Sequence, residues 1–356
     1  MKTPLAISAL LLFSCGTSDP IHVTEFPGLP AGGGSARQVT YLAGRMDPQM
    51  VTQLEASAPN LRVVSGLNRE SALALAGEAD GADVGLVTQE FMAAADQLTW
   101  IQIPSAGVER YLARPEIQSA PDSVVLTNAR GVHGPVIAEH VFGMLLSQTR
   151  GLAAAQQAQS EGSWDRGVGT GNTSLAGNTL LVVGMGGIGT EVAKRAKGFD
   201  MRVLATVRSQ RAAPDFVDRL ESAEHLDELL PEADVVVVCL PLTAETEGLF
   251  DAERLGRMKR GARLVNIARG QIVDTEALLA ALESGQLAGA CLDVTYPEPL
   301  PAEHPLWSRA DVLITPHVAG RADLTGERRE ALVLENLQRF AAGEPLLNAV
   351  DREAGY

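Results

Sequence analysis

Residues 178–207 read NTLLVVGMGGIGTEVAKRAKGFDMRVLATV, and the fold turns on this stretch. Leu180 to Val183 form an apolar run of strand length, a glycine cluster follows, and the next segment carries helical spacing. Met201 to Val207 is apolar and strand-like again, so the order is strand, turn, helix, strand. Gly184, Gly186 and Gly189 stand in the G-x-G-x-x-G spacing, which is weak evidence alone and strong inside such a βαβ unit. The first glycine permits a tight bend, the second lets backbone approach a pyrophosphate, and the third lets helix pack on strand. Gly187 and Ile188 open the helix, whose free N–H groups and positive dipole end suit the phosphates of a dinucleotide.

The end of the second strand bears on which dinucleotide. A carboxylate there accepts from the ribose 2′-OH of NAD. This chain has Arg208, Ser209 and Arg211 instead. Two guanidiniums and a hydroxyl suit a 2′-phosphate, so NADP(H) is the preferred cofactor. NAD(H) is the alternative if both arginines are solvated loop residues.

The same alternation extends in both directions. RQVTYLAG, LRVVSG, DVGLVT, WIQIPS and VVLTNA are strand candidates upstream, with helical segments such as DPQMVTQLEASA between them. Downstream, ADVVVVCLP, ARLVNIA, AGACLDV and DVLITPH repeat the pattern, and the four consecutive valines fit a strand buried on both faces. GPVIAEHVFGMLLSQTRGLAAAQQAQ is expected as one long helix linking two halves, and LTGERREALVLENLQRFAAGEP as a last amphipathic helix, opened by a Thr and closed by Gly343. The fold class is therefore α/β, with two doubly wound parallel-sheet domains.

A chain of 356 residues is long enough for two such cores. A net charge of −15 speaks against a nucleic-acid partner, which wants a basic face. Three scattered cysteines make neither a disulfide framework nor a zinc site, and no His/Asp/Glu spacing suggests another metal. The N-terminus, MKTPLAISALLLFSC, has the form of a signal peptide, too short for a membrane span. Its ending resembles a bacterial lipoprotein cleavage box, with Cys15 as the lipid-bearing thiol; a cytoplasmic chain with a frayed N-terminus is the alternative. A turn-rich tether follows to about residue 36.

RLVNIARGQIVD, residues 263–274, poses a chemical question, because Arg269 follows a buried strand and a guanidinium there needs an anion. Here, and in WIQIPSAGVERYL, GMGGIG, LPLTAETEGLF, LDVTYPEPLP and TPHVAG, the chain resembles the D-isomer-specific 2-hydroxyacid dehydrogenases, particularly the glyoxylate/hydroxypyruvate reductase-like members. The resemblance runs from about Arg37 to the end. It implies a catalytic trio of Arg269, Glu298 and His317. A guanidinium binds a keto acid's carboxylate and polarises its carbonyl, while His317, oriented by Glu298, supplies the proton that accompanies hydride transfer.

The small-residue turn Ser105-Ala106-Gly107-Val108 is expected to help grip the carboxylate through backbone N–H groups. Asp293 is implied to hold the nicotinamide carboxamide, and Pro241, Thr246 and Gly320 to lie beside the cofactor. A Rossmann dinucleotide domain, residues 134–319, is expected as an insertion into a flavodoxin-like substrate domain, residues 37–133 plus 320–356, with the active site in the cleft and a homodimer as the assembly. Glu298 in place of the Gln of formate-specific members disfavours formate. No regulatory domain follows the last helix, which points away from the allosteric phosphoglycerate dehydrogenases. The rival reading is a dinucleotide-sensing protein on the same fold. Tyr296 and Trp307 are candidates for lining the pocket; His133 and His304 read as structural, and His22, His140 and His225 as surface or packing residues.

Overall fold

The computed structural model describes residues 37–356, so the signal-like segment, Cys15, His22 and the tether lie outside the described residues. Among the described residues no helix is long and apolar enough to cross a membrane. The described chain divides into two compact units, one made of residues 37–132 together with Asp323–Tyr356, the other of His133–Ala322.

In the first unit β1 (Val39–Leu42), β2 (Leu61–Val64), β3 (Gly81–Asp83), β4 (Trp100–Gln102) and β5 (Val125–Thr127) form a parallel sheet in the order β2-β1-β3-β4-β5. This is the flavodoxin-like order. Leu42, Ala82, Ile101 and Leu126 pack on one face. Tyr41, Val63 and Trp100 pack on the other, where the C-terminal helix Asp323–Ala342 contributes Leu337 and Phe340. The Trp100 ring lies 4.8 Å from Tyr41 and 5.1 Å from Phe340, centroid to centroid. The last stretch of sequence thus completes the core begun by the first strands.

The second unit holds β6 (Thr179–Val183), β7 (Arg202–Val207), β8 (Arg219–Ser222), β9 (Val235–Val238), β10 (Ala262–Asn266), β11 (Leu287–Leu292) and β12 (Val312–Ile314). Their order is β12-β11-β10-β9-β6-β7-β8, all parallel, which is the Rossmann order with one further strand. The valine run behaves as a strand buried on both faces should. Val236 and Val238 join one hydrophobic cluster, and Val235 and Val237 join the cluster on the opposite face.

The structure departs from the sequence expectations at three places and adds one strand. DVGLVT is not a strand; β3 ends at Asp83 and the chain then turns, with Leu86 N donating to Asp83 O at 2.9 Å. Side chains claim this segment, since Arg114 donates to the carbonyls of Val84 and Val87 at 2.9 and 2.6 Å. The long helix is two helices, Gly134–Thr149 and Leu152–Ser160, because Gly151 adopts φ +61° between them. The edge strand β8 was not foreseen. Its sequence, RLES, offers no apolar run, and Arg219 anchors it through Glu221 and Glu232 at 2.8 Å each. The last helix begins at Asp323, ahead of the expected Thr.

Helix Gly187–Gly198 packs closely on helix Gly134–Thr149, where a Cβ at Gly134 would come within 3.1 Å of Glu191 Cγ and the Gly187 carbonyl. Glu191 is 5% exposed, and Lys194 and Arg195 bind its two oxygens at 2.9 and 2.6 Å. Burial pushes its carboxyl up, but these two cations more than offset that and hold it below the ordinary 4.5. A carboxyl lowered on folding contributes stability above its unfolded value and loses it as pH falls through the folded one. Glu191→Gln should therefore cost about 1–3 kcal/mol at pH 7, and the difference from wild type should vanish in strong acid. Denaturant melts at both pH values check this; a cost that persists in acid would contradict it.

Candidate active site

The glycine turn sits where β6 and β9 diverge from one another in chain order, the switch point at which open α/β sheets bind ligands. Gly184 takes φ +94°, and a Cβ there would lie 2.7 Å from Leu240 Cδ2 and 3.0 Å from the Cys239 carbonyl. A Cβ on Gly189 would overlap the Gly184 carbonyl, so helix and strand touch only because it is glycine. Gly186 is the contrast. It is exposed, and no heavy atom lies within 4 Å of the Cβ position, which leaves room for a phosphate at the start of helix Gly187–Gly198. The turn fits a dinucleotide.

Arg208 and Ser209 follow β7 and are exposed. The Arg211 guanidinium donates to the Met185 carbonyl at 2.6 Å, which braces the glycine turn. Thr246 shapes its own loop, with Oγ1 donating to the Pro241 carbonyl at 2.7 Å and accepting from Thr243 N at 2.8 Å. Gly320 packs on His133, whose ring carbon would be 3.1 Å from a Cβ there.

Strands β10, β11 and β12 are neighbours, and the chain leaving each carries one of the implied catalytic residues. After β10, the buried Asn266 side chain organises the turn. Its Oδ1 accepts from Ala268 N at 3.0 Å and its Nδ2 donates to the Arg269 carbonyl at 2.9 Å. The Arg269 guanidinium donates to the Ala268 carbonyl at 2.6 Å and is half-buried. Gly270 is obligatory, because a Cβ there would overlap the Thr295 carbonyl. The turn bearing Arg269 thus lies against the loop that leads to Glu298. Asp274, a conceivable partner for Arg269, caps helix Thr275–Glu283 by accepting from Ala277 N at 2.9 Å.

His317 Nδ1 lies 2.8 Å from Glu298 Oε1, and both side chains are nearly half exposed, at 47% and 45%. A carboxylate accepts only, so Nδ1 carries the hydrogen and Nε2 is the nitrogen free to exchange a proton. His317 sits at φ +52°, uncommon for a residue with a Cβ, and its N–H donates to the carbonyls of Asp293 and Thr315 at 2.8 and 3.0 Å. Asp293, 2% exposed, clasps the same loop. Its carboxylate accepts from Thr315 Oγ1 at 2.6 Å, Val318 N at 2.9 Å and Ala319 N at 3.0 Å. His140, expected at the surface or in packing, instead reaches Thr315 Oγ1 at 2.9 Å. Cys291 is buried on β11 and its thiol is pushed up to about 12 by that burial, so it packs and is no nucleophile. Tyr296 and Trp307 are exposed, and Trp307 Nε1 donates to the Pro301 carbonyl at 2.9 Å. His304 Nδ1 accepts from Leu306 N at 3.3 Å, and Ser222 Oγ is 3.0 Å from His225 Nδ1.

The Ser105–Val108 turn follows β4 in the first unit. Three successive carbonyls face internal donors: Ala129 N to Ser105 O at 3.0 Å, Asn128 Nδ2 to Ala106 O at 3.1 Å, and Ser105 Oγ to Gly107 O at 2.7 Å. In a trans peptide the next N–H points opposite to its carbonyl, so the N–H groups of Ala106, Gly107 and Val108 each point away from the donor their neighbouring carbonyl faces. Asn128, unnoticed in the sequence, sets this turn.

Residues 142–319 match the family model described as D-isomer specific 2-hydroxyacid dehydrogenase, NAD binding domain. The chain is 36% identical to a glyoxylate reductase of Thermofilum pendens, over 75% of this chain and 79% of the relative. A D-isomer specific 2-hydroxyacid dehydrogenase family protein from Aeromonas salmonicida superposes with a TM-score of 0.75 at 35% identity, covering 88% of this chain and 99% of that one. A D-isomer specific 2-hydroxyacid dehydrogenase from Xanthobacter autotrophicus, solved with NADPH and MES, gives 0.72 at 33% identity over 90% and 100%. With its Rossmann glycine turn and its place among these relatives, the chain belongs to the D-isomer specific 2-hydroxyacid dehydrogenase family, a family of NAD(P)-dependent oxidoreductases.

Proposed function

We propose that the protein reversibly reduces a small 2-keto acid to its D-2-hydroxy acid, with NADPH preferred over NADH and glyoxylate or hydroxypyruvate as substrate. The observation that carries this reading is the 2.8 Å pairing of His317 with Glu298 on the loops beyond β11 and β12. Bound nicotinamide dinucleotide supplies hydride in one direction and accepts it in the other. Arg269 binds the substrate carboxylate and polarises the adjacent carbonyl. Glu298 holds the Nδ1 hydrogen of His317, so Nε2 gives a proton to the carbonyl oxygen during reduction and takes it back during oxidation. The Ser105–Val108 turn is a second grip on the carboxylate, and Asp293 the acceptor for the carboxamide N–H.

The substrate reading is supported by the glyoxylate reductase among the relatives, and the cofactor reading by Arg208 and Ser209 and by the NADPH-bound relative. Purified protein with NADPH and a panel of 2-keto acids at neutral pH is the test. Turnover of glyoxylate or hydroxypyruvate is expected; retained NADPH binding with no turnover of any keto acid would favour a dinucleotide sensor instead.

For the cofactor, Arg208→Ala should lower kcat/KM with NADPH by about 10–100-fold, the worth of one charged hydrogen bond, and leave NADH use nearly unchanged. Arg211→Ala should impair both cofactors, because Arg211 braces the turn that either would use. Equal losses for Arg208→Ala would refute the 2′-phosphate role.

A homodimer is supported by helix Leu152–Ser160, which buries none of its residues, and by Leu152 and Trp164, 51% and 90% exposed. Sedimentation should find a dimer for the wild type and a monomer for Leu152→Glu/Trp164→Glu; a monomeric wild type would dismiss it. Lipid anchoring rests on residues 1–15 alone, and cell fractionation of wild type against Cys15→Ala decides it.

A further inference from the structure

The Thr315 hydroxyl is 2.6 Å from Asp293 Oδ1 and 2.9 Å from His140 Nε2. It owns a single hydrogen. The Asp293 carboxylate can only accept, so Thr315 gives its hydrogen to Asp293, and its lone pair accepts from His140 Nε2–H. The tautomer of His140 is fixed by this, and the donor order runs His140 to Thr315 to Asp293. At the end of the chain, the Asp293 carboxylate takes the N–H groups of Val318 and Ala319, and its backbone carbonyl takes that of His317. His140 Nε2 is also 3.7 Å from Asp293 Oδ1, so the imidazole N–H faces a carboxylate that is 2% exposed.

We propose that His140, acting through the Thr315 hydroxyl, is a positioning residue for the His317 loop. The need for one lies in the backbone. His317 holds a left-handed conformation that a residue with a Cβ seldom adopts, and such a conformation persists only where its surroundings over-determine it. Asp293 supplies that constraint only while its own carboxylate is held in one orientation, and the hydroxyl from Thr315 is the shortest of its bonds. His140 stands on helix Gly134–Thr149, a rigid element 175 residues away in sequence from the hydroxyl it orients. The role rests on the reading of His317 as the proton donor, so the test has one arm that needs no turnover.

His140→Leu removes the donor, while His140→Gln keeps an N–H able to reach Thr315. Thr315→Val removes the hydroxyl with little change of shape, and Thr315→Ser restores it. In keto-acid reduction with NADPH, His140→Leu and Thr315→Val should lower kcat by about tenfold or more with the substrate KM nearly unchanged, since a misplaced reacting group costs rate even when binding survives. His140→Gln and Thr315→Ser should stay near wild type, and the double variant His140→Leu/Thr315→Val should be no slower than Thr315→Val. In the independent arm, hydrogen–deuterium exchange of the segment 315–320 should speed up about tenfold in His140→Leu but not in His140→Gln. Wild-type behaviour of His140→Leu in exchange, equal defects in His140→Leu and His140→Gln, or rate losses that multiply in the double variant would each overturn the proposal. An inactive wild type with the exchange pattern intact would sink the proton-donor reading and leave the positioning role standing.

Discussion

His317→Asn should cut the rate of 2-keto-acid reduction by about 10²–10⁴-fold, the usual worth of a general acid, while NADPH binding stays near wild type. Asn is the informative replacement because it tolerates the left-handed backbone that residue 317 adopts, at φ +52°. Its amide nitrogen also stands near the place of Nδ1, so the bond to Glu298 can survive. What Asn lacks is a ring nitrogen at the Nε2 position that can carry and release a proton. Loop and pairing are thereby kept while the proton is removed. Glu298→Gln makes the complementary change, keeping an acceptor oxygen for Nδ1–H but discarding the charge. Since charge-assisted hydrogen bonds are roughly twice as strong as neutral ones, the loss there should be smaller than for His317→Asn. Steady-state kinetics for both variants, with cofactor dissociation constants from nucleotide fluorescence, test the pair. If His317→Asn keeps more than a tenth of wild-type kcat, the assignment of His317 as proton donor fails.

What could be read from sequence was whatever is written locally. The glycine turn is legible because each glycine answers a steric demand made within a few residues, as the crowding at Gly184 and Gly189 shows. The buried strands are legible because both faces need apolar side chains, and the valines of β9 satisfy both. The polar edge strand β8 needs no such pattern, and the break at Gly151 looks in sequence like any glycine tolerated inside a helix. The supporting residues of the site were hidden for another reason. Asn266 acts only three residues away, yet an Asn after a strand is also an ordinary turn former. Asn128 binds a carbonyl 22 residues distant, and Thr315 meets His140 across 175. Nothing in the residue types at those positions announces their partners; the pairing of β4 with β5 brings Asn128 to the Ala106 carbonyl, and helix Gly134–Thr149 carries His140 to Thr315 beyond β12.

Arg269 carries the second large expectation. Arg269→Ala should lower kcat/KM for keto acids by about 10²–10³-fold, the cost of removing one donor aimed at developing charge, together with whatever carboxylate binding is lost. Arg269→Lys should recover little of it. An ammonium is a point charge on a flexible stem and cannot span carboxylate and carbonyl as a planar fork does. The turn around it strengthens the expectation, since Asn266 and Gly270 fix the Arg269 backbone from both sides and leave a shorter side chain no freedom to advance. Guanidinium ion added at millimolar concentration should restore part of the Arg269→Ala activity and none of the Lys variant's, where the ammonium already fills the space. A Lys variant with near wild-type kcat/KM would show that charge alone suffices, and the fork geometry would have to be abandoned as the basis of substrate recognition.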